Sequence, residues 1–351
     1  MKLFTCQHCG NVVFFENTSC ESCQHRLGFL PASLGLSALA PQADRFVTLA
    51  SPARPVRFCE NATHDVCNWL LGEDEPGPLC AACKHNRTIP DVSVPENLLR
   101  WRKIEWAKHR LIYTLLRLGL PVPAAGEAAE PLIFDFLADP PPAEGPKVMT
   151  GHDNGLITLA LKEADETERT RTQEELAEPY RTLLGHFRHE VGHYYWDILV
   201  RDGGKLEPCR AVFGDDTQDY AAAIARHYAE GAPADWQENF ISPYATMHPW
   251  EDFAECWAHY LHLIDTLDTA RAYGMRVRPR VKKGGDLALD IDFDPYRARD
   301  AQQLLDAWVP LTAAVNSLNR SMGQPDLYPF VISPKVVEKL QFLHLLVQKT
   351  L

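Results

Sequence analysis

The chain has 351 residues, room for one large domain or two to three smaller ones, and its 46% apolar and 23% charged content is ordinary for a globular protein. A net charge of −12 argues against a nucleic-acid backbone as the main partner. No apolar run approaches the roughly 18–20 residues of a membrane span, and the opening MKLFTCQHCG lacks the apolar stretch of a secretory signal, so a cytoplasmic protein without a membrane partner is expected.

Ten cysteines are present, eight of them before residue 84. In a reducing compartment, close pairs read as metal ligands rather than disulfides. Cys6-Gln-His-Cys9 and Cys20-Glu-Ser-Cys23 are two C-x2-C knuckles, which can close a tetrahedral four-thiolate zinc site at about 2.3 Å per bond. Between them, Val12-Val13-Phe14-Phe15 has strand composition. A second set, Cys59, Cys67, Cys80 and Cys83, has knuckle spacing only in its last pair. It predicts a second structural zinc, with His64 as an alternative to one thiolate. His8, His25 and His85 flank the knuckles as surface residues. Closed sites of this kind are scaffolding or a docking surface rather than chemistry, and segments this small bury too little apolar area to fold without metal. Nucleic-acid binding by such a zinc ribbon is one functional alternative. Against it, the bases of residues 1–90 are matched by acids and form no stripe. This Cys-rich module is assigned to residues 1–92.

A second domain is assigned to residues 93–351. Ser93 with Glu96 reads as a capping box and Pro95 as a first-turn residue, opening a helix over about 95–118 that Gly119 and Pro121 end. Trp101 and Trp106 read as packing anchors. Residues 121–131 and 139–146 have loop composition, residues 132–137 and 147–161 strand composition, and residues 163–180 are charged and solvated. The apolar stretch 155–161 is a candidate edge for an extended peptide to join by strand addition.

A helical run follows over 180–199 and contains His189-Glu190-Val191-Gly192-His193. Histidines four apart on a helix share a face and can reach one Zn²⁺, while Glu190 falls beside the metal as a proton acceptor for water. A catalytic zinc needs a third protein ligand and one open position. Trp196 and Leu199 stand where a metzincin extension needs glycine and histidine, which excludes that class. Asp197 is a further carboxylate on the histidine face. Downstream, Pro249-Trp-Glu251-Asp-Phe-Ala-Glu255-Cys-Trp-Ala-His259 is helical, and Glu251, Glu255 and His259 share one face at four-residue steps. Spacing alone leaves all three open as the third ligand.

An H-E-x-x-H helix followed by an E-x-F-A-E helix resembles the gluzincin arrangement, and specifically lethal-factor-type zincins. That resemblance implies Glu251 as the third ligand, Glu255 as the outer partner of a ligand histidine, and Tyr244, seven residues before Glu251, as a donor to the transition state. The whole chain also resembles a family of zinc-binding metallopeptidases with an N-terminal zinc ribbon, through the cysteine set, Asn86-Arg-Thr-Ile-Pro-Asp91, His189–His193, Tyr244-Ala-Thr-Met-His-Pro-Trp-Glu251 and Tyr328-Pro-Phe330. That family is defined largely by sequence and does not itself imply the substrate; the metallopeptidase reading as a whole leads to the expectation of a peptide or protein substrate.

Towards the C-terminus, the basic run 276–283 and the acids that follow read as a charged surface loop, and residues 299–318 and 334–349 as amphipathic helices that close the core. His186, His227, His248 and His262 are assigned structural or exposed places, and Cys209 and Cys256 those of buried thiols. The expectation is therefore an α+β protein: a two-zinc ribbon module before a zincin-like metallopeptidase domain with one catalytic zinc. A zincin-fold binding module without turnover is the other alternative, and an intact Glu190 speaks against it.

Overall fold

The computed structural model describes residues 2–42, 45–140, 145, 147–175, 182–281 and 287–351. The chain is α+β and divides into two compact units, Met1–Arg169 and Thr170–Leu351. Contact density thus groups residues 93–169 with the cysteine-rich segment, whereas the sequence boundary fell at 92.

In the first unit, β1 (Phe4–Thr5) and β2 (Val12–Val13) form a short antiparallel hairpin. Then β3 (Leu27–Leu30), β4 (Gly35–Gln42), β5 (Arg45–Thr48), β6 (Pro55–Phe58) and β7 (Leu70–Gly72) make a five-stranded antiparallel meander. A bridge between Phe29 and Trp69 brings the last strand back to the first. That return requires Gly28, because a Cβ there would lie 2.5 Å from the Leu70 side chain. Phe15, Phe29, Trp69 and Tyr113 pack ring against ring at 4.6–6.3 Å, and all four are buried.

Next come β8 (Asn86–Thr88), α1 (Pro95–Leu118), β9 (Ile133–Leu137), β10 (Gly151–Asp153) and β11 (Leu156–Ala160). α1 buries Trp101, Ile104, Leu111, Ile112 and Leu115, and stops at Gly119 in the left-handed conformation (φ +67°). Its start corrects the expected capping box. Asp91 captures both the amide (2.9 Å) and the hydroxyl (2.6 Å) of Ser93, and Val94 takes the cap position without a side-chain bond. Trp106 is also not an anchor: it is 41% exposed, whereas Trp101 is fully buried.

The strand order β10-β11-β9-β8 overturns the peptide edge expected at 155–161. β11 pairs in parallel with β9 and antiparallel with β10, so both its sides are used. Most of the expected loop at 139–146 lies outside the described residues.

α2 (Glu166–Glu175) spans the division between the units. The second unit contains α3 (Leu183–Tyr195), α4 (Leu206–Phe213), α5 (Tyr220–Glu230), α6 (Trp236–Asn239), α7 (Pro249–Ala272), the antiparallel pair β12 (Arg276–Val277) and β13 (Leu289–Asp290), α8 (Ala301–Ser321) and α9 (Pro334–Val347). Thr182 caps α3 by accepting from the Gly185 amide at 2.9 Å, and the helix continues as a π turn over Trp196–Arg201. Tyr180 lies outside the described residues. α7 is buried on nearly every face, with α3, α8 and α9 packed against it. Polar ties fix that packing. Lys339 on α9 pairs with buried Asp252 at 2.6 Å, the Tyr260 hydroxyl meets His344 at 3.0 Å, and Arg188 on α3 bonds His262 and Asp265. The C-terminal helices thus stand behind α7 as expected. In the basic run, Arg276 pairs with Asp290 at 3.0 Å, and residues 282–283 lie outside the described part.

Candidate metal centres and active site

The two first-set knuckles fold alike. In each, the residue after the second cysteine has positive φ (Gly10 +77°, Gln24 +62°) and its amide donates to the first cysteine's carbonyl, at 2.9 and 2.8 Å. These turns aim Cys6, Cys9, Cys20 and Cys23 at one point. The Sγ atoms of Cys6 and Cys23, and of Cys9 and Cys20, lie 3.6 Å apart. Four thiolates around zinc at about 2.3 Å stand about 3.8 Å apart, so the cage fits the ion.

Cys59, Cys67, Cys80 and Cys83 also converge, all buried, with 3.7 Å between the sulfurs of Cys67 and Cys80. His64 is not among them. The nearby imidazole is instead His109 of α1, whose Nε2 lies 3.4 Å from Cys67 Sγ and 3.8 Å from Cys83 Sγ. Lys108 and Glu105, both fully buried and 2.9 Å apart, complete a polar layer beneath the sulfurs. Burial opposes charge on Lys108, but Glu105 and then Cys83 outweigh it and raise its pKa.

The third centre is built by α3 and α7. His189 and His193 project from one face of α3, and Glu251 from the first turn of α7, where a carboxylate is favoured by the helix dipole. Three donor atoms form a triangle: 3.2 Å between the two Nε2 atoms, and 3.0 and 3.4 Å from Glu251 Oε2 to Nε2 of His189 and His193. Ligands at about 2.0–2.1 Å on a tetrahedral zinc stand about 3.3 Å apart. Glu251 Oε2 is buried without a hydrogen-bond partner. That is the state of an atom waiting for a cation. The donor set therefore fits a zinc ion with one position left over.

Close packing makes this possible. A Cβ on Gly192 would lie 2.9 Å from the Ala254 Cα, so only glycine lets the two helices approach. Glu255 Oε1 accepts from His189 Nδ1 at 2.8 Å, which turns the Nε2 lone pair towards the metal position. Burial opposes charge on His189, but Glu251 and Glu255 outweigh it and raise its pKa well above the usual value. Burial likewise opposes ionisation of Glu251, and His193 and His189 outweigh it.

His259, the remaining spacing candidate, points elsewhere. Its Nδ1 meets the Tyr328 hydroxyl at 2.7 Å, and burial lowers its pKa to about 4. Asp197 is buried and accepts from Arg201 at 2.8 Å. His248 caps α7 by accepting the Trp250 amide at 3.1 Å, and His262 is held by Arg188. Cys209 and Cys256 are buried thiols outside the metal-holding groups.

Tyr244 stands on a single 3-10 turn, its ring 5.8 Å from that of His189. Burial, then the charges of Glu251 and Glu190 among its neighbours, push its hydroxyl pKa well up, so it remains a donor. Glu190 follows His189 on α3 and is buried. Three residues at the site were given no role by the sequence. The Tyr220 hydroxyl donates to Glu251 Oε1 at 2.6 Å, Ser242 donates to Glu255 Oε2 at 2.5 Å, and Trp250 lies against the His193 ring at 3.7 Å. The Ser-Pro-Tyr sequence at 242–244 was the only available hint of the second.

A zinc-ribbon family model matches residues 3–94. The uncharacterized protein Rv2568c of Mycobacterium tuberculosis (strain H37Rv) is 39% identical over 353 residues, covering 99% of this chain and 96% of its own. The uncharacterized protein Mb2598c of Mycobacterium bovis matches to the same extent. No solved structure matches the chain. Among the described residues, no helix is long and apolar enough to cross a membrane. A second family model covers residues 97–346, the whole of the His189–Glu251 centre included, and the chain belongs to that family, described as "Putative zinc-binding metallo-peptidase".

Proposed function

We propose that the protein is a zinc-dependent metallopeptidase of gluzincin type, with His189, His193 and Glu251 as the ligands of the catalytic metal. The observation that carries the reading is the triangle of 3.0–3.4 Å among their donor atoms, with Glu190 adjacent on α3. A zinc ion bound there supplies Lewis-acid polarisation of a scissile carbonyl and lowers the pKa of water. Glu190 takes the proton of the attacking water and delivers it to the leaving amine. Tyr244 donates to the oxygen that gains charge. Glu255 holds His189 in the tautomer that leaves Nε2 available. The two four-cysteine sites hold structural zinc and take no part in the chemistry. A peptide or protein is the substrate, and the H-E-x-x-H and E-x-F-A-E pairing supports a likeness to lethal-factor-type zincins.

The test is hydrolysis of a mixed peptide library by zinc-loaded protein, read by mass spectrometry. Glu190→Gln keeps the shape and removes the base, so it should abolish cleavage while keeping the third zinc. Glu251→Ala should lose that zinc and retain the other two. Cleavage by Glu190→Gln at the wild-type rate would sink the proposed mechanism.

A further inference from the structure

Tyr220 comes to the site from the first turn of α5, thirty-one residues before the carboxylate it touches. Its hydroxyl occupies Glu251 Oε1 at 2.6 Å and leaves only the buried Oε2 in the donor triangle. A carboxylate can ligate through one oxygen or both, and a donor fixed on one of them removes the second mode. The ring also has aromatic neighbours. It lies edge-on to His248 at 5.3 Å and to Trp250 at 5.7 Å, and Trp250 itself packs on His193.

We propose that Tyr220 is a positioning residue that confines Glu251 to one-oxygen ligation and so keeps the fourth metal position open for water and substrate. This rests on the reading of Glu251 as a metal ligand. It also gives α5 a purpose. Tyr220, Ala223, Ile224 and His227 fall on one helix face by spacing, yet only Ala223 is fully buried. The helix is seated by few other contacts: the Gln218 carbonyl faces His248 Nε2 at 3.2 Å, and His227 Nδ1 faces the Thr246 hydroxyl at 3.4 Å. A thinly packed helix thus supplies the group that decides how the metal is held.

The experiment compares wild type, Tyr220→Phe, Glu251→Ala and Arg226→Gln, the last an exposed residue of the same helix. Phenylalanine keeps the ring packing and deletes the hydroxyl. Affinity for the third zinc, by chelator competition, should weaken about ten- to a hundredfold in Tyr220→Phe and stay unchanged in Arg226→Gln. With cobalt(II) in place of zinc, the visible absorption of Tyr220→Phe should lose intensity, because a second carboxylate oxygen raises the coordination number above four. Wild-type affinity in Tyr220→Phe overturns the proposal. So does weakened affinity with an unchanged cobalt spectrum, since ligation would then be unaltered. If Glu251→Ala keeps the metal, the ligand assignment fails. If it empties the site while Tyr220→Phe behaves as wild type, only the role of Tyr220 fails.

Discussion

The cysteine cages and the His189–Glu251 centre bring their donor atoms together by opposite means. The first cage hangs on two turns, and one of its ligands, Cys9, is exposed. Besides the sulfurs, the two turns meet through the stacked rings of His8 and His25, 3.8 Å apart. The ligands of the third centre stand on two long helices whose contact is already dense, with Val191, Phe253, Ala254 and Trp257 buried. On the proposed assignment, metal in the cages would contribute to folding, whereas in the helical centre folding itself brings His189, His193 and Glu251 together. Stripping zinc should therefore have unequal consequences along the chain.

The largest expected effect is that of Cys80→Ser. Cys80 is fully buried among three other sulfurs, and a structural zinc contributes on the order of 10 kcal/mol to folding. The variant should lose one tightly held zinc and its amide protection across residues 3–94, while residues 183–272 keep theirs by hydrogen exchange. Wild-type protection and full zinc content in Cys80→Ser would break the comparison.

A smaller effect should come from the helical side. Gly192→Leu forces a side chain where even a Cβ lies 2.9 Å from the Ala254 Cα and 3.2 Å from the Trp257 Cβ. Overpacking of this kind costs roughly 1–3 kcal/mol or more. Because the strain lies between the two ligand-bearing helices, it should also weaken the third zinc while leaving the cysteine-bound pair in place. The denaturant midpoint and metal content check both. A stable Gly192→Leu protein with unchanged zinc would mean that the helix contact does not set the ligand triangle.

The same contrast explains what could be read from the chain. Local spacing placed the knuckles, the two histidines on α3, and Glu251, Glu255 and His259 on shared turns or faces, because such positions are set by short-range geometry, whereas the choice of Glu251 and Glu255 among the three came from the family resemblance. The terminal helices were legible too: residues 301–321 and 334–347 match the apolar period closely. Long-range pairing was not legible. β11 looked like an edge because nothing in Leu156–Ala160 announces parallel partnership with β9. His109 lies 42 residues from Cys67, so His64 drew the attention that proximity in sequence invites. Ser93 had two possible partners, and Asp91, two residues away, took it from Glu96. Tyr220 sits in an alanine-rich stretch with no motif, and only folding brings it to Glu251.

The smallest effect sharpens the helical side of the comparison. Ser242 is buried, donates to Glu255 Oε2 at 2.5 Å, and accepts the Ala245 amide at 3.1 Å. It therefore links the turn carrying Tyr244 to the carboxylate that orients His189. Ser242→Ala removes one donor from Glu255 but leaves the Glu255–His189 bond intact. Stability should fall by about 1–3 kcal/mol, the range for leaving a buried hydrogen-bonding group without its partner. Zinc affinity should fall less than in Glu255→Ala, for which a lost outer partner implies about ten- to a hundredfold. A merely structural serine would lower stability without touching the metal, so the two measurements must be read together. Ser242→Thr keeps the hydroxyl and should restore zinc affinity even if the added methyl leaves some loss of stability. If Ser242→Ala holds zinc as tightly as wild type, Glu255 is positioned by His189 and its own helix alone, and the turn bearing Tyr244 is independent of the metal.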